Sequence, residues 1–199
     1  MKNSISGDKK AAKRSALDLS TNSLELEPKN EEKWVDPVVR KEYMSWKKSP
    51  SLDKSASPFL CRLYTEDLMP CLTFPNQELT DKVIRAVETN SLSMSPIILP
   101  KDGPSTSSAA EDNCELPKHC ALFDAPFICQ FLLVFEDESN FQISSLARNR
   151  IAAACECIGY LRYICEGLVK AHHNEVYWEI VKRRKKLILA KLGFSPDED

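Results

Sequence analysis

Apolar residues return every three or four positions in five separate stretches of the chain, each opened by a residue that can cap a helix. Asp36 with Pro37 starts the first, where Val39, Tyr43 and Trp46 share a face, and it should stop before Pro50. Ser57 with Pro58 starts the second, in which Phe59, Leu60, Leu63 and Tyr64 form a stripe that should end near Pro70. Asn76 caps a third that runs to Asn90, with Leu79, Val83, Ile84 and Val87 on one side. The fourth is the strongest: Ser144 or Ser145 caps it, and Ile151, Cys155, Ile158, Leu161, Cys165 and Leu168 keep the helical spacing. Gly159 inside it costs helix propensity, which predicts a close approach of another element there. A fifth runs from an Asn174 cap to Gly193, with acids near its start and Lys191 near its end.

Between these stretches the period changes. SLSMS (91–95) alternates as a short strand does, and FICQFLLVF (127–135), apolar on both alternating faces, fits a buried strand or a short buried helix. Phe141 and Ile143 alternate after the EDESN turn, which completes a hairpin. Residues 1–33 contain no aromatic and are dense in charge, so they read as a disordered tail. KDGPSTSSAAEDN (101–113) reads as a flexible linker. The expected fold is therefore α+β, mainly short helices around one long core helix with a small β-hairpin and no long coiled coil. Its parts are a tail (1–33), a helical segment (34–100), the linker (101–113), an α+β core module (114–194) and a terminal tail (195–199).

Lys and Arg total 27 against 29 acids in 199 residues, a net charge of -2, so no global field draws nucleic acid or a membrane. With no apolar segment of spanning length and no leader-like start, the expectation is a cytoplasmic protein. Eight cysteines without a secretory signal read as reduced thiols, small buried hydrophobes. The alternative is zinc on Cys114, Cys120, Cys129 and Cys155, although their gaps are wider than the tight pairs of structural zinc sites. No nucleophile signature accompanies the histidines, and no phosphate-binding or metalloprotease motif is present, so neither enzymatic chemistry nor a cofactor is expected. Lys182, Arg183, Arg184, Lys185 and Lys186 form one basic run, read either as a solvated helix face or as a contact for anionic lipid, with RNA disfavoured because interleaved stacking aromatics are lacking. Four Ser-Pro pairs begin at Ser49, Ser57, Ser95 and Ser195. Each is a turn or helix-start signal and also fits a proline-directed kinase.

KSPSLD (48–53), PFLCRLYTEDLMPCLTF (58–74), ELTDKVIRAVETNSL (78–92), CAL (120–122), ARNRIAAAC (147–155), YLRYICEGLV (160–169) and YWEIVKRRKKLILAKLGF (177–194) occur in this order. In content and spacing they resemble the carboxy-terminal half of the Rabin family of Rab guanine-nucleotide exchange factors. In that family a parallel coiled coil wedges a Rab open, and nothing in residues 1–60 resembles it. The resemblance implies a non-enzymatic module of vesicle traffic and exocytosis, peripheral on vesicle membranes, that binds an upstream GTP-loaded Rab through Trp46, Leu52, Phe59, Leu60, Leu63 and Tyr64. Those side chains could equally be core. Two alternatives stay open, exchange activity together with a coiled-coil partner chain and a zinc-stabilised cytoplasmic adaptor.

Overall fold

The computed structural model describes residues 35–98 and 116–194. Helix α1 (Pro37–Lys48) begins where Asp36 Oδ1 accepts the Val38 amide at 2.7 Å and Pro37 supplies a first residue that needs no donor. It ends at Ser49, one residue before Pro50. Helix α2 (Pro58–Leu63) is capped by Ser57, whose hydroxyl accepts the Leu60 amide at 3.2 Å.

The helical run ends at Leu72, two residues past Pro70, and it passes through that proline rather than stopping before it. A π-helical turn (Tyr64–Leu68) carries α2 directly into α3 (Met69–Leu72), with the Met69 amide bonded to the Tyr64 carbonyl. Proline lacks an amide and crowds the carbonyl four residues back, and the wider π turn precedes Pro70 at the place where a regular helix would fail. Helix α4 (Gln77–Thr89) has Asn76 as its cap and stops at Asn90, whose left-handed φ of 59° ends the ladder.

Three antiparallel strands, β1 (Leu92–Pro96), β2 (Cys129–Phe135) and β3 (Asn140–Ser144), lie in that order. Leu133 of β2 pairs with Met94 on one side and Phe141 on the other, so strands from both sides of residues 99–115 form one sheet. Strand β2 is covered on one face rather than two: Cys129, Leu133 and Phe135 are buried, while Phe131, Leu132 and Val134 are half-exposed.

Helix α5 (Ser145–Cys165), capped by Ser144, lies at the centre and touches α3, α4, β2, β3 and α6 (His173–Leu192). With neighbours on several sides, its buried positions exceed one stripe: Ala147, Ile151, Ala153, Ala154, Cys157, Ile158, Leu161 and Ile164. The predicted stripe drifts off this surface, since Cys155 and Cys165 are half-buried and Leu168, past the helix end, is exposed. Nor does Gly159 mark a close approach, because a β-carbon there would meet nothing within 4 Å. At α6 the cap is His172, whose Nδ1 accepts the Asn174 amide at 3.4 Å, and Asn174 instead bonds to Arg40 of α1. Gly193 ends α6 at φ 89°, a left-handed position that favours glycine.

Among the described residues one cation is buried in the core. Arg150 of α5, 8% exposed, donates to the carbonyls of Cys71 (2.6 Å), Thr73 (2.7 Å) and Pro70 (3.4 Å) at the end of α3. Its guanidinium lies 4.2 Å from the Phe74 ring centre and 5.6 Å from that of Phe123. Carbonyls at a helix end have no partner in their own helix, so this side chain satisfies what α3 leaves open.

The β2–β3 turn is held by a second set of polar contacts. Asp137 accepts the Ser139 amide at 3.1 Å and hydroxyl at 2.6 Å, and its other oxygen lies 2.6 Å from Lys82 of α4. Lys82, through its hydrogen bond, and Ser139 pull the Asp137 carboxyl from 3.8 down to about 2. A depressed carboxyl contributes stability that is complete above its unfolded pKa and is lost as the pH falls through the folded one. Thermal denaturation of the wild type should therefore show a decline in stability between about pH 4 and pH 2 that Asp137→Asn flattens. An unchanged acid limb in the variant would contradict this assignment.

Candidate functional site

Tyr43 and Trp46 of α1 meet Phe59 of α2 and Tyr177 of α6 in one aromatic cluster. Tyr43 lies 5.5 Å from Phe59 and 5.0 Å from Tyr177, both edge to face, and Trp46 lies 5.2 Å from Phe59. The polar handles are used: the Tyr43 hydroxyl donates to the His173 carbonyl at 2.8 Å, and Trp46 Nε1 donates to the Ser51 carbonyl at 2.9 Å.

Of the two readings left open for these residues, partner anchors or core, their burial matches core. Trp46, Phe59, Leu60 and Leu63 are at most 2% exposed and Tyr64 is 7% exposed, so five of the six candidate Rab-binding residues are core. The reason is tertiary. Tyr177 of α6, more than a hundred residues along the chain, packs on Tyr43 and joins this cluster, and periodicity alone cannot tell a face covered by the same chain from one that awaits a partner.

Leu52 is the exception. It lies half-buried in the α1–α2 loop and lines a cleft of about 210 Å³ with Asp53, Lys54, Tyr64, Glu88 and Ile158. Lys54 Nζ stands 3.5 Å from the Glu88 carboxylate and 5.5 Å from the Tyr64 ring centre. Burial pushes the Tyr64 phenol up to about 12, so this wall stays neutral. The cleft thus offers an apolar floor with a charged rim, an arrangement suited to holding a partner's side chain. Among the described residues, no group of three or more His, Cys, Asp or Glu side chains could hold a metal ion.

The family model described as the Rabin 8-like C-terminal domain matches residues 33–194. The chain belongs to this family. Proteins named guanine nucleotide exchange factor for Rab-3A are similar to it: the human one is 41% identical over 177 residues, 87% of this chain and 45% of the relative. The bovine one is 40% identical over 181 residues, again 87% of this chain and 46% of the relative, and the rat one 38% over 172 residues, 86% and 44%. The chain therefore spans a little under half the length of these relatives.

In this Rabin 8-like domain the basic run of α6 is not one surface. Consecutive helix residues turn by about 100°, so five in a row point around the whole helix. Arg184 pairs with the buried Asp67 and lies 3.2 Å from Glu66. Arg183 lies 3.9 Å from the centre of the Tyr160 ring and donates to the Glu179 carbonyl at 3.0 Å. Lys186 reaches Glu156 at 3.2 Å. Lys182 and Lys185 are exposed. Burial raises the Asp67 carboxyl despite the Arg184 contact, which marks this as a desolvated pair.

The cysteines likewise separate. Cys129 donates to the His119 carbonyl at 3.2 Å, Cys120 accepts the Ser144 amide at 3.4 Å, and both are buried. Burial lifts the Cys129 and Cys155 thiols to about 11 each, so both carry their protons at neutral pH. Cys155 does not join the other two in a ligand cluster, and Cys114 lies outside the described residues.

Core placement of the aromatic cluster predicts a clear split in mutant stability. Phe59→Ala should cost about 3–5 kcal/mol in urea denaturation, because it empties a closed cavity, whereas Leu52→Ala should cost under about 1 kcal/mol. Equal small losses would return Phe59 to the surface.

Proposed function

We propose that this domain is a regulatory, partner-docking module of a Rab exchange factor acting in vesicle traffic and exocytosis on the cytoplasmic side of membranes. It engages a GTP-loaded Rab through the cleft that carries Leu52 and Tyr64 and does not itself expel nucleotide. The observation that carries this reading is that Leu52 and Tyr64, from two of the stretches that resemble the family, converge on one open cleft with a charged rim. Small interfaces draw most of their affinity from a few apolar anchors in desolvated pockets, and here the protein supplies the pocket. Membership of the family and relatives named as exchange factors for Rab-3A support a Rab as the partner class.

Calorimetric titration of the chain against Rab proteins loaded with GTP or GDP tests the proposal. Binding should be confined to the GTP form, and Leu52→Ala should weaken it by about 5- to 150-fold, equivalent to about 1–3 kcal/mol, without altering the melting profile. Release of a fluorescent GDP analogue from the same Rab should be no faster with the chain than without it. Equal affinity for both nucleotide forms, or full affinity in Leu52→Ala, would overturn the docking site. Accelerated release would assign exchange to this domain.

A further inference from the structure

Three of the four Ser-Pro pairs lie in the described residues, and the fold treats them differently. At Ser57 the hydroxyl caps α2 by accepting the Leu60 amide, Pro58 is already helical, and Phe59 and Leu60 behind it are 1% and 0% exposed. Drawing this pair into an enzyme cleft would unpack the core. Ser95 is exposed, but it and Pro96 sit in register with Leu132 and Phe131 of β2, so presenting them means stripping β1 from the sheet.

Ser49 has neither restraint. It is exposed just past the end of α1, and Pro50, Ser51 and Leu52 after it are in no helix or strand. Its amide bonds to the Trp46 carbonyl, while its hydroxyl has no hydrogen-bond partner among the described residues. Lys47 and Lys48 precede it in the last turn of α1.

We infer that Ser49 is a phosphorylation site of the folded domain, taken by a proline-directed protein kinase with ATP as donor. The Ser49 Oγ–phosphorus bond forms as the bond from the γ-phosphorus to the bridging oxygen of ATP breaks; ADP leaves, and the hydroxyl proton passes to the kinase's base. A phosphate at a helix end opposes the carbonyl dipoles, and Lys47 and Lys48 offset that cost, so the folded domain tolerates the added charge. The position also gives the modification a reach. Ser51, two residues on, is pinned to Trp46 through its carbonyl, and Leu52 lines the cleft beside Asp53, Lys54 and Glu88. A dianion three residues before Leu52 adds negative charge next to a loop whose cleft already carries the carboxylates of Asp53 and Glu88. Any effect on Rab affinity rests on the proposed docking function; phosphorylation of Ser49 does not.

The test uses the full native chain carrying Ser195→Ala, which removes the pair outside the described residues, incubated with a proline-directed kinase and ATP and read by intact and tandem mass spectrometry. One phosphate should appear, on Ser49, and Ser49→Ala should reduce uptake at least tenfold. The heat-denatured chain should also accept phosphate at Ser57 and Ser95. Phosphorylation should move the melting midpoint by no more than about 2 °C, since the site is on the surface. First modification at Ser57 or Ser95 in the native chain, undiminished uptake in Ser49→Ala, or Ser49 uptake only after denaturation would overturn the inference.

Discussion

The arrangement depends on one guanidinium. Without Arg150, carbonyls at the end of α3 would face the core with no donor, and an unmet buried polar group costs about 1–3 kcal/mol. With it, the helix that ends at Leu72 is tied to the first half of α5. Burial depresses the Arg150 pKa, the cost of placing a cation among apolar side chains, and the faces of Phe74 and Phe123 with three carbonyls offset that cost. The cleft is downstream of this tie. Tyr64 belongs to the helix that Arg150 holds and Ile158 belongs to α5, so their convergence with Leu52 follows from how those two elements are joined.

A second tie acts from the other side. Arg184 of α6 reaches the π turn at Asp67 and Glu66, and Arg62 of α2 bonds to Glu42 of α1 at 3.0 Å and Glu66 at 2.9 Å. Of these carboxylates only Asp67 is buried, and there desolvation offsets much of the attraction to Arg184 and raises the Asp67 pKa. The pairs link α6 to the π turn and α2 to α1, while the aromatic cluster supplies the burial.

Local signals in the sequence located the elements. Asp36, Ser57, Asn76 and Ser144 each cap the helix they were expected to start, and the alternation at 91–95 and after the EDESN turn is strand. Signals that depend on distant partners were not legible. Pro70 reads as a stop unless the π turn before it is known, and Asn174 reads as a cap until Arg40, 134 residues away, claims it. The same limit applies to the candidate site. Spacing marks Phe59 and Leu63 as apolar and says nothing of what covers them, and a run of five basic residues conceals that Arg183 and Arg184 are half-buried against α5 and the π turn. Leu52 carries no periodic signal, and only the folded chain places it beside Tyr64.

The central claim is that the helices carrying Trp46, Phe59, Leu60 and Leu63 are an integral part of one core built on α5, which leaves the cleft at Leu52 and Tyr64, not those four side chains, as the surface of the proposed docking. Native-state amide hydrogen exchange tests this most directly. The account predicts that the amides of Leu63 in α2 and Tyr43 in α1 exchange only through the global unfolding that also exposes those of Ile158 and Leu161 in α5, with the same opening free energy and the same dependence on denaturant. Exchange of the α1 and α2 amides through a separate opening several kcal/mol below that of α5 would contradict it, and would show Trp46, Phe59 and Leu60 to be released for a partner while the rest of the domain stays folded.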